Sequence, residues 1–441
     1  MSLSPLDDRY SGVTSPIRTH FSNRELQRLR AHVEIQYLIA LVRELKWSLN
    51  GWSLDKIRDM MNGFDVDDVK AIEDLEKTTT HDVKAVELWL RQRLQSFVPA
   101  GHLSMIHFAL TSQDVTNPAL SIMLKHTNKV MIDAVDQLQY VMTRRVVVMK
   151  NMPLLARTHG QPASPTTMGK EWDVFAERIM LQMVTLKTIP IMTKFGGATG
   201  NFNAHRIAYP DHDWPKFADR FIDSLGLNRL SLTTQIDTYD YQAQLFDAWR
   251  RVATILIDFC QDIWLYISRD YFTQAIEEKE VGSSTMPHKL MNPIQFEKAE
   301  GNLGLARALF THLSDNLPIS RLQRDLTDST VTRNIGTAFG HMYLAVTSIL
   351  NGIERLVPRP EVMCRELLGH WEVLGEAVQT IMRREGVPDA YDQVKRLSRV
   401  GHAMSKDDYA IMVAGLTGIS DHVRSELMKL SPLSYLGYAS D

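Results

Sequence analysis

The chain has 441 residues, of which 49 are Lys or Arg and 52 are Asp or Glu, giving a formal net charge of -3 at pH 7. This length allows two or three domains and a large core. The near-neutral balance provides no global positive field, so any anion site must be built locally. We therefore expect no nucleic-acid partner.

Cysteine content and hydrophobic patterning favour a soluble, cytoplasmic protein. Only two cysteines occur, Cys260 and Cys364, which excludes a disulfide framework and a cysteine-based metal cluster. No apolar run approaches the roughly 20 residues of a membrane-spanning helix. The N-terminal MSLSPLDDRY lacks the basic and apolar segments of a signal peptide. We expect no membrane partner.

Gly and Pro punctuate the first hundred residues, which predicts short helices there. Asn50-Gly51 and Asn62-Gly63 mark turns, and a break at Pro99-Ala100-Gly101 ends this part. We expect a first helical domain over residues 1–99. It carries the polar cluster EKTTTHDVK, in which Thr and Asp are good helix caps, so a helix N-terminus is the alternative to a binding role.

Long helices are predicted for residues 100–353. Neither Gly nor Pro occurs between Pro118 and Pro153, and apolar residues recur at helical spacing over about 30 residues, near 45 Å. Further runs extend over Lys170–Ile189 and Leu227–Val281, and another helix start follows Pro293. Strands need turn signals far more often. We predict an all-α fold with a central bundle of long helices, followed by a C-terminal helical domain over residues 354–441.

Two polar clusters interrupt the first part of this bundle. In HFALTSQDVTN, Thr111 and Ser112 lie with Asp114 in a predicted loop, where helix capping is the commoner explanation. In RTHG, His159 precedes a glycine in a turn ahead of a long helix. The ordinary pKa of histidine, near 6.5, suits proton transfer; a surface turn is the alternative.

Two further clusters combine hydroxyls with cations. GSSTMPHK places Ser283, Ser284 and Lys289 after a glycine hinge, shortly before a helix N-terminus that favours anions. A solvated turn that caps this helix is the alternative. SRLQRDLTDSTVTRN concentrates arginines and hydroxyls that suit phosphate or carboxylate. A capped helix with surface ion pairs would look similar.

The sequence contains no P-loop, dinucleotide glycine fingerprint or paired-His zinc motif, so we expect neither cofactor nor metal. The clusters together favour chemistry that moves a proton beside a carboxylate. Fixed cations and N–H donors would stabilise the doubly charged aci-carboxylate that forms. Because serine is a poor base at its ordinary pKa, its loop would have to close and exclude water.

The segment GSSTMPHK resembles the signature of the fumarase/aspartase superfamily, whose members release fumarate from succinyl adducts. The segments SPLDDRY, TTTHDVKAVE, FALTSQDV, PLLARTHGQPASPTTMGKE, TQIDTYDY and QRDLTDSTVTRN are similar, in the same order, to the bacterial-type adenylosuccinate lyase family. The resemblance covers nearly the whole chain. It implies three helical domains, a homotetramer with a tetrameric core of long helices, active sites shared between subunits, and no metal or cofactor.

The resemblance also implies roles for individual residues. His159 would be the general acid that protonates the leaving nitrogen, and Ser283 the base that takes the proton from carbon. Ser284 is the other candidate for the base, and His81 is a further catalytic candidate. The residues expected to bind the phosphate, base and succinyl groups of a nucleotide substrate are Arg9, Tyr10, Thr80, Asp82, Thr111, Ser112, Gln235, Lys289, Asn292, Arg324, Ser329, Thr330 and Arg333.

The implied activity is elimination of fumarate from adenylosuccinate, giving AMP, and from the succinylcarboxamide ribotide SAICAR, giving AICAR, in purine nucleotide biosynthesis. A paralogous lyase acting on another N-succinyl adduct is the alternative. It is suggested by one extra residue at Leu290 or Met291 and by departures from the family pattern at Thr80 and Lys298; Asp8, in place of the usual Gly before Arg9, is a further departure. A catalytically idle relative is a third interpretation, against which Ser283, Lys289 and His159 together argue.

Overall fold

The structure, a computed structural model, describes residues 3–275, 281–289, 292–399 and 401–440. Helices make up most of it, which confirms the all-α class. In chain order they are α1 (Ser15–His20), α2 (Asn23–Glu44), α3 (Leu54–Asn62), α4 (Val66–Thr79), α5 (Asp82–Leu94), α6 (Ala100–Leu103), α7 (Ser112–Met149), α8 (Met168–Thr188), α9 (Asn203–Ala208), α10 (Trp214–Ser224), α11 (Asp240–Ser268), α12 (Ile294–Asn316), α13 (Thr327–Val331), α14 (Ile335–Arg355), α15 (Pro360–Leu368), α16 (Gly375–Arg384), α17 (Ala390–Ser398), α18 (Lys406–Ala414) and α19 (Asp421–Met428).

The strands are short and occur as two-stranded pairs. Three pairs are antiparallel and one, β5 with β6, is parallel. The pairs are β1 (Pro153–Leu154) with β4 (Thr166–Thr167), β2 (Arg157–Thr158) with β3 (Gln161–Pro162), β5 (Met192–Thr193) with β6 (Asn228–Arg229), and β7 (Phe272–Gln274) with β8 (Leu356–Pro358).

Helix α7 confirms the predicted long element but begins earlier, at Ser112, so that Pro118 lies inside the helix. The Asp114 side chain explains this start, since its Oδ2 accepts from the Thr111 amide at 2.9 Å and so satisfies an N–H left over at the helix end. The run Leu227–Val281 is less regular than predicted. Strands β6 and β7 flank helix α11, since the absence of Gly and Pro permits strands as well as helices.

The chain forms two compact units. The first contains residues 1–135, 182–254 and 301–347, and the second contains residues 136–181, 255–300 and 348–441. The division into three domains at residues 99 and 353 stays a prediction. Within the described residues, no helix is both long and apolar enough to cross a membrane.

The core of the first unit surrounds helix α2. Tyr37 packs against Phe195 and Phe221 with ring centroids 5.7 and 5.5 Å apart, and aromatic pairs at such distances add to simple area burial. Buried apolar residues from α5 and from the start of α7 complete this cluster. Helix α2 is therefore held on its apolar side, which fixes the position of its polar side chains.

The second unit has two apolar clusters that matter for the site. The C-terminal helices pack around Trp371 and Tyr409, whose rings lie 5.4 Å apart. A smaller cluster joins Leu155, just before strand β2, to Leu367 and Val373. The chain that leads into the β2–β3 hairpin is thus packed against the C-terminal part of the protein.

Candidate active site

A cavity of about 950 Å³ lies in the first unit. Its walls come from α2, the loop before α5, the start of α7 and the segment around α13. Seven of the residues predicted to act on a substrate line it: Thr80, His81, Asp82, Ser112, Arg324, Ser329 and Arg333.

His81 both caps a helix and faces this cavity. Thr80 ends α4 in the left-handed conformation, with φ 53°, and His81 is the N-cap of α5. The Nδ1 atom of His81 accepts from the Lys84 amide at 3.2 Å. The helix N-terminus predicted as an alternative is confirmed, but His81 rather than a Thr or Asp side chain caps it. With Nδ1 accepting, Nε2 is the ring nitrogen left to donate.

Asp82 is held by a buried arginine that the sequence analysis missed. Arg30 Nη2 lies 2.7 Å from Asp82 Oδ2, and Arg30 Nε donates to Thr116 Oγ1 at 3.1 Å. Arg333 Nη2 approaches the same oxygen of Asp82 at 3.8 Å. Burial opposes ionisation of Asp82, but the charge of Arg30 and hydrogen bonds from Val83 and Arg30 outweigh it, so the pKa of this carboxyl lies below its usual value. Asp82 therefore faces the cavity as an anion.

Arg324 joins three other predicted residues. Its Nη1 donates to Ser112 Oγ at 3.2 Å and to Gln235 Oε1 at 3.1 Å, and its Nη2 donates to Ser329 Oγ at 3.3 Å. All three partners are neutral. The buried Nε of Arg324 has no partner among the described residues. A guanidinium arranged in this way keeps its positive charge available for an anionic group of a ligand.

A buried carboxylate, Asp328, lies beside this arginine in the cavity wall. The Tyr239 hydroxyl donates to Asp328 Oδ2 at 3.1 Å, whereas Oδ1 has no partner among the described residues. Burial raises the pKa of the Asp328 carboxyl above its usual value, against the opposing charge of Arg324. The sequence places Asp328 in a polar cluster, but nothing in it indicates the contact with Tyr239.

Asp114 is the buried carboxylate that holds the chain at Thr111 and Ser112 in place. Its Oδ1 accepts from Lys194 Nζ at 2.7 Å and from the amides of Gly196 and Gly197 at 2.8 and 3.0 Å. Its Oδ2 accepts from the amide and the hydroxyl of Thr111. Asp114 and Lys194 are both fully buried. The capping role considered for this cluster is confirmed. The Thr111 hydroxyl donates its proton to Asp114, so this proton is not available to a ligand.

A second cavity of about 500 Å³ shares His81, Ser112 and Arg324 with the first. Thr111 and Gln235 also line it, as does His107, which the sequence analysis did not single out. His107 Nδ1 lies 2.5 Å from Oε1 of Glu34, whose side chain has no exposed area. Burial opposes the charged form of His107, but the hydrogen bond and charge of Glu34 outweigh it and raise its pKa.

The residues missed on α2 share one pattern. Gln27, Arg30 and Glu34 are buried polar side chains on an otherwise apolar face, at the i, i+3 and i+7 spacing that places them on one side of a helix. Their spacing could have revealed them in the sequence. Polar and charged residues at positions that face the core indicate buried partners, since charges are almost never buried unpaired.

Arg9, Tyr10 and Thr330 do not line either of these cavities. The Arg9 guanidinium lies over the Tyr10 ring, 5.6 Å from its centroid, and Thr330 is exposed on α13. Their roles in substrate binding stay predictions.

His159 belongs to the second unit, at the tip of the β2–β3 hairpin. Thr158 pairs with Gln161, so His159 and Gly160 form a two-residue turn, and both have positive φ, at 53° and 72°. This is the type I′ geometry that suits tight hairpins. It leaves His159 exposed at the tip of the hairpin.

Ser283 also lies in the second unit and differs from Ser284 in its contacts. The amides of Thr285 and Met286 donate to Ser283 Oγ at 3.3 and 3.0 Å. Ser284 Oγ is 3.5 Å from the Thr285 hydroxyl. Asn292 Nδ2 donates to the Gly282 carbonyl at 2.8 Å, and Lys289 is exposed.

The departures at Asp8, Thr80 and Lys298 all lie within the described residues, and Asp8 is exposed ahead of α1. Thr80 lines the larger cavity, and Lys298 is half-buried on α12. The extra residue at Leu290 or Met291 lies outside the described residues. In the described part of the chain, no group of three or more His, Cys, Asp or Glu side chains is placed to hold a metal ion.

Known proteins resemble this chain over its whole length. The lyase family model matches residues 8–308, and the model of the adenylosuccinate lyase C-terminal region matches residues 320–436. An adenylosuccinate lyase from Dictyostelium discoideum is 45% identical over 455 residues, covering 100% of this chain and 97% of the relative. Those of Vibrio cholerae and Escherichia coli K12 are 43% and 40% identical, each over 99% of this chain and 97% of the relative.

Solved structures with the same fold are more distant in sequence. A fumarate lyase from Mesorhizobium sp. BNC1 superposes with a TM-score of 0.79 at 16% identity, over 96% of this chain and 95% of the other. A beta-carboxy-cis,cis-muconate cycloisomerase from Acinetobacter calcoaceticus gives a TM-score of 0.72 at 14% identity, over the same shares. Fold and family match define a lyase of the fumarase/aspartase superfamily. Within that class, the chain belongs to the adenylosuccinate lyase family, which confirms the resemblance of its motifs.

Proposed function

We propose that this protein eliminates fumarate from adenylosuccinate, giving AMP, and from the succinylcarboxamide ribotide SAICAR, giving AICAR. The observation that carries the proposal is the Arg324 cluster in a cavity of about 950 Å³. There a guanidinium is hydrogen-bonded to neutral hydroxyl and amide groups. Both substrates are polyanions that combine a phosphate with two succinyl carboxylates, and arginine forks suit both kinds of group.

Substrate binding is assigned to the side chains that face the cavity. Arg324, Ser329 and Arg333 supply charge and donors for an anionic group. Asp82 supplies an acceptor that Arg30 keeps ionised, and His81 supplies a donor at Nε2. A cavity with both an anion site and an acceptor orients a substrate that carries phosphate at one end and N–H groups at the other.

The elimination needs one base and one acid. Ser283 takes the proton from the succinyl carbon beside the carboxylate, which leaves an aci-carboxylate with two negative charges. The C–N bond then breaks, its electron pair stays with nitrogen, and His159 protonates that nitrogen, so fumarate and the amine product separate. Lys289 would steady the succinyl carboxylate. Two amides directed at Ser283 Oγ favour its alkoxide and support Ser283 over Ser284.

The proposed assembly is a cytoplasmic homotetramer in which subunits share active sites. Long helices of the second unit expose large apolar side chains that support burial against other subunits: Val147 and Val148 on α7, Leu181 on α8, and Trp264 and Leu265 on α11. Exposed apolar side chains in groups commonly mark subunit contacts. In the tetramer, His159 and Ser283 reach the cavity from neighbouring subunits.

A lyase acting on another N-succinyl adduct is the second candidate, and Thr80 favours it. This departure from the family pattern lines the cavity beside His81. It therefore lies where it would meet a ligand.

Fumarate release from adenylosuccinate and from other N-succinyl amines, measured side by side with purified protein, tests the two functions. We expect the highest kcat/KM with the purine substrates. Absence of turnover on them by a folded tetramer would contradict the proposed function, and a higher kcat/KM on a non-purine adduct would favour the second candidate.

A further inference from the structure

We propose that Glu366 is a positioning residue for the hairpin that presents His159. The inference rests on the proposed function, in which His159 is the general acid. Glu366 lies on α15, outside the motifs named above, and it accepts hydrogen bonds from three side chains in two separate parts of the second unit.

The hairpin needs support from elsewhere in the protein. Its strands have two residues each, and β1 and β4 pair at its base. The whole is still a two-stranded ribbon, which on its own is marginally stable in water. His159 is exposed at its tip. A proton donor must be held close to its productive position, because a misplacement of about 1 Å costs about 100-fold in rate.

Arg157 connects the hairpin to Glu366. Its Nη2 lies 2.5 Å from Glu366 Oε1, while its Nη1 donates to the carbonyl of Gly160 at 3.4 Å. One guanidinium therefore bonds both to the turn that contains His159 and to α15. The planar guanidinium makes both contacts at once because it carries N–H donors on separate nitrogens at fixed positions.

Two further donors hold the Glu366 carboxylate in place. Arg269 Nη1 approaches Oε1 at 3.3 Å, and the hydroxyl of Tyr271 donates to Oε2. Burial opposes ionisation of Glu366, but the hydrogen bonds from Tyr271 and Arg157 and the nearby arginine charges outweigh it, so its pKa lies below its usual value. Both oxygens thus accept hydrogen bonds, and a glutamine in this place would have only one acceptor oxygen.

The chain on either side of the hairpin is fixed to the same part of the protein. Before it, Leu155 packs against Leu367, the residue that follows Glu366. After it, the Ser164 hydroxyl bonds to Glu376, which also accepts from the Tyr435 hydroxyl at 3.0 Å. The contact between Arg157 and Glu366 adds a restraint near the tip to these contacts at the flanks.

The test is Glu366→Gln in the full chain, with Glu361→Gln as the matched control. Glu361 lies on the same helix, is exposed and pairs with Arg359. We expect Glu366→Gln to lower kcat on adenylosuccinate roughly 10- to 100-fold, with KM changed less than about threefold, and to speed hydrogen exchange of the amides of residues 157–161. Glu361→Gln should leave kcat, KM and exchange unchanged.

The effect must also depend on His159. In a His159→Gln background we expect Glu366→Gln to lower the residual kcat less than about twofold. An equal loss in both backgrounds, an unchanged kcat in Glu366→Gln, or unchanged hairpin exchange would each overturn the positioning role. Normal kcat in His159→Gln alone would instead contradict the proposed acid.

A second variant keeps the inference testable if Glu366→Gln fails to fold. Arg157→Lys keeps the positive charge but loses the fork, so it should show the same fall in kcat at nearly constant KM and the same dependence on His159. A normal kcat in folded Arg157→Lys would overturn the inference.

Discussion

Arg30 Nη2 lies 2.7 Å from Asp82 Oδ2, so a side chain buried in the middle of α2 orients a carboxylate at the first turn of α5. The two residues are 52 positions apart in the chain. The Asp82 carboxylate, which faces the larger cavity, is therefore oriented by a helix of the first unit's core.

The first prediction concerns this pair. Arg30→Met removes the partner of a partly buried anion, which should raise KM for adenylosuccinate at least about 10-fold and lower the free energy of unfolding by about 2–3 kcal/mol. Steady-state kinetics and urea unfolding measure the two effects. Arg28→Met is the control, since Arg28 forms an i,i+3 pair with Glu25 on the same helix and such pairs contribute less than about 1 kcal/mol. Equal effects of the two substitutions would contradict the prediction.

The second prediction concerns the shape of the Arg324 side chain. Arg324→Lys keeps the charge, but one ammonium cannot reproduce the fork that reaches Ser112, Gln235 and Ser329. We expect a 10- to 100-fold rise in KM, about 1.4–2.7 kcal/mol of binding free energy, with little change in melting temperature. The control is Arg321→Lys, because the Arg321 side chain is 81% exposed. A KM within about twofold of the unmodified protein for Arg324→Lys would remove Arg324 from the binding site.

The third prediction assigns the acid and the base. His159→Ala and Ser283→Ala should each remove most of kcat, because each takes away a proton-transfer group, a loss commonly worth about 100- to 10,000-fold. Circular dichroism and light scattering should show an unchanged fold and assembly. Ser284→Ala decides between the two hydroxyls. A larger loss there than in Ser283→Ala would reverse their roles.

The fourth prediction tests whether subunits share active sites. Inactive His159→Ala and Ser283→Ala proteins, mixed under conditions that exchange subunits, should regain part of the activity, because some sites then combine an intact histidine with an intact serine. The control mixes each variant with itself. Mixed tetramers that stay inactive would show that both residues serve the same site from one chain.

The fifth prediction concerns the pH dependence of stability. Burial, the largest influence, lowers the pKa of His205 to about 4, and Nε2 lies 3.2 Å from the Tyr37 hydroxyl. The unfolded chain takes up a proton near pH 6.5, so stability falls as the pH drops from about 6.5 to about 4, by about 3 kcal/mol in all. His205→Gln should flatten this slope in urea unfolding. Parallel curves of unfolding free energy against pH for His205→Gln and the unmodified protein would contradict the assignment of this slope to His205.

The sequence predicted the long helices because their signal is local. Apolar periodicity and missing Gly and Pro identify α7, α8 and α11 without knowledge of any contact. The start of α7 escaped prediction because a side chain, Asp114, caps it upstream of Pro118. The strands beside α11 escaped because each pairs with a distant segment, as β7 does with β8.

In the candidate site, too, local signals were readable from the sequence and long-range contacts were not. His81, Asp82, Ser112 and Arg324 stood in polar clusters and lie at the cavity. Arg30 was not predicted, because it stands among other charged residues of α2, such as Arg24 and Arg28, and its partner Thr116 is 86 residues away. Asp328 was visible as a residue, but its contact with Tyr239, 89 residues earlier, is a product of the fold. Long-range contacts of this kind cannot be derived from local spacing.

Asp114 belongs to the buried framework behind the larger cavity and not to the residues that line it. Its bonds go to Lys194, to two glycine amides and to Thr111, and none of its atoms reaches the surface. Residues such as Thr80 face the ligand space without taking part in that network. Ligand preference could therefore diverge during evolution through exchange of lining residues alone, while the buried carboxylate keeps the same architecture available for a new adduct.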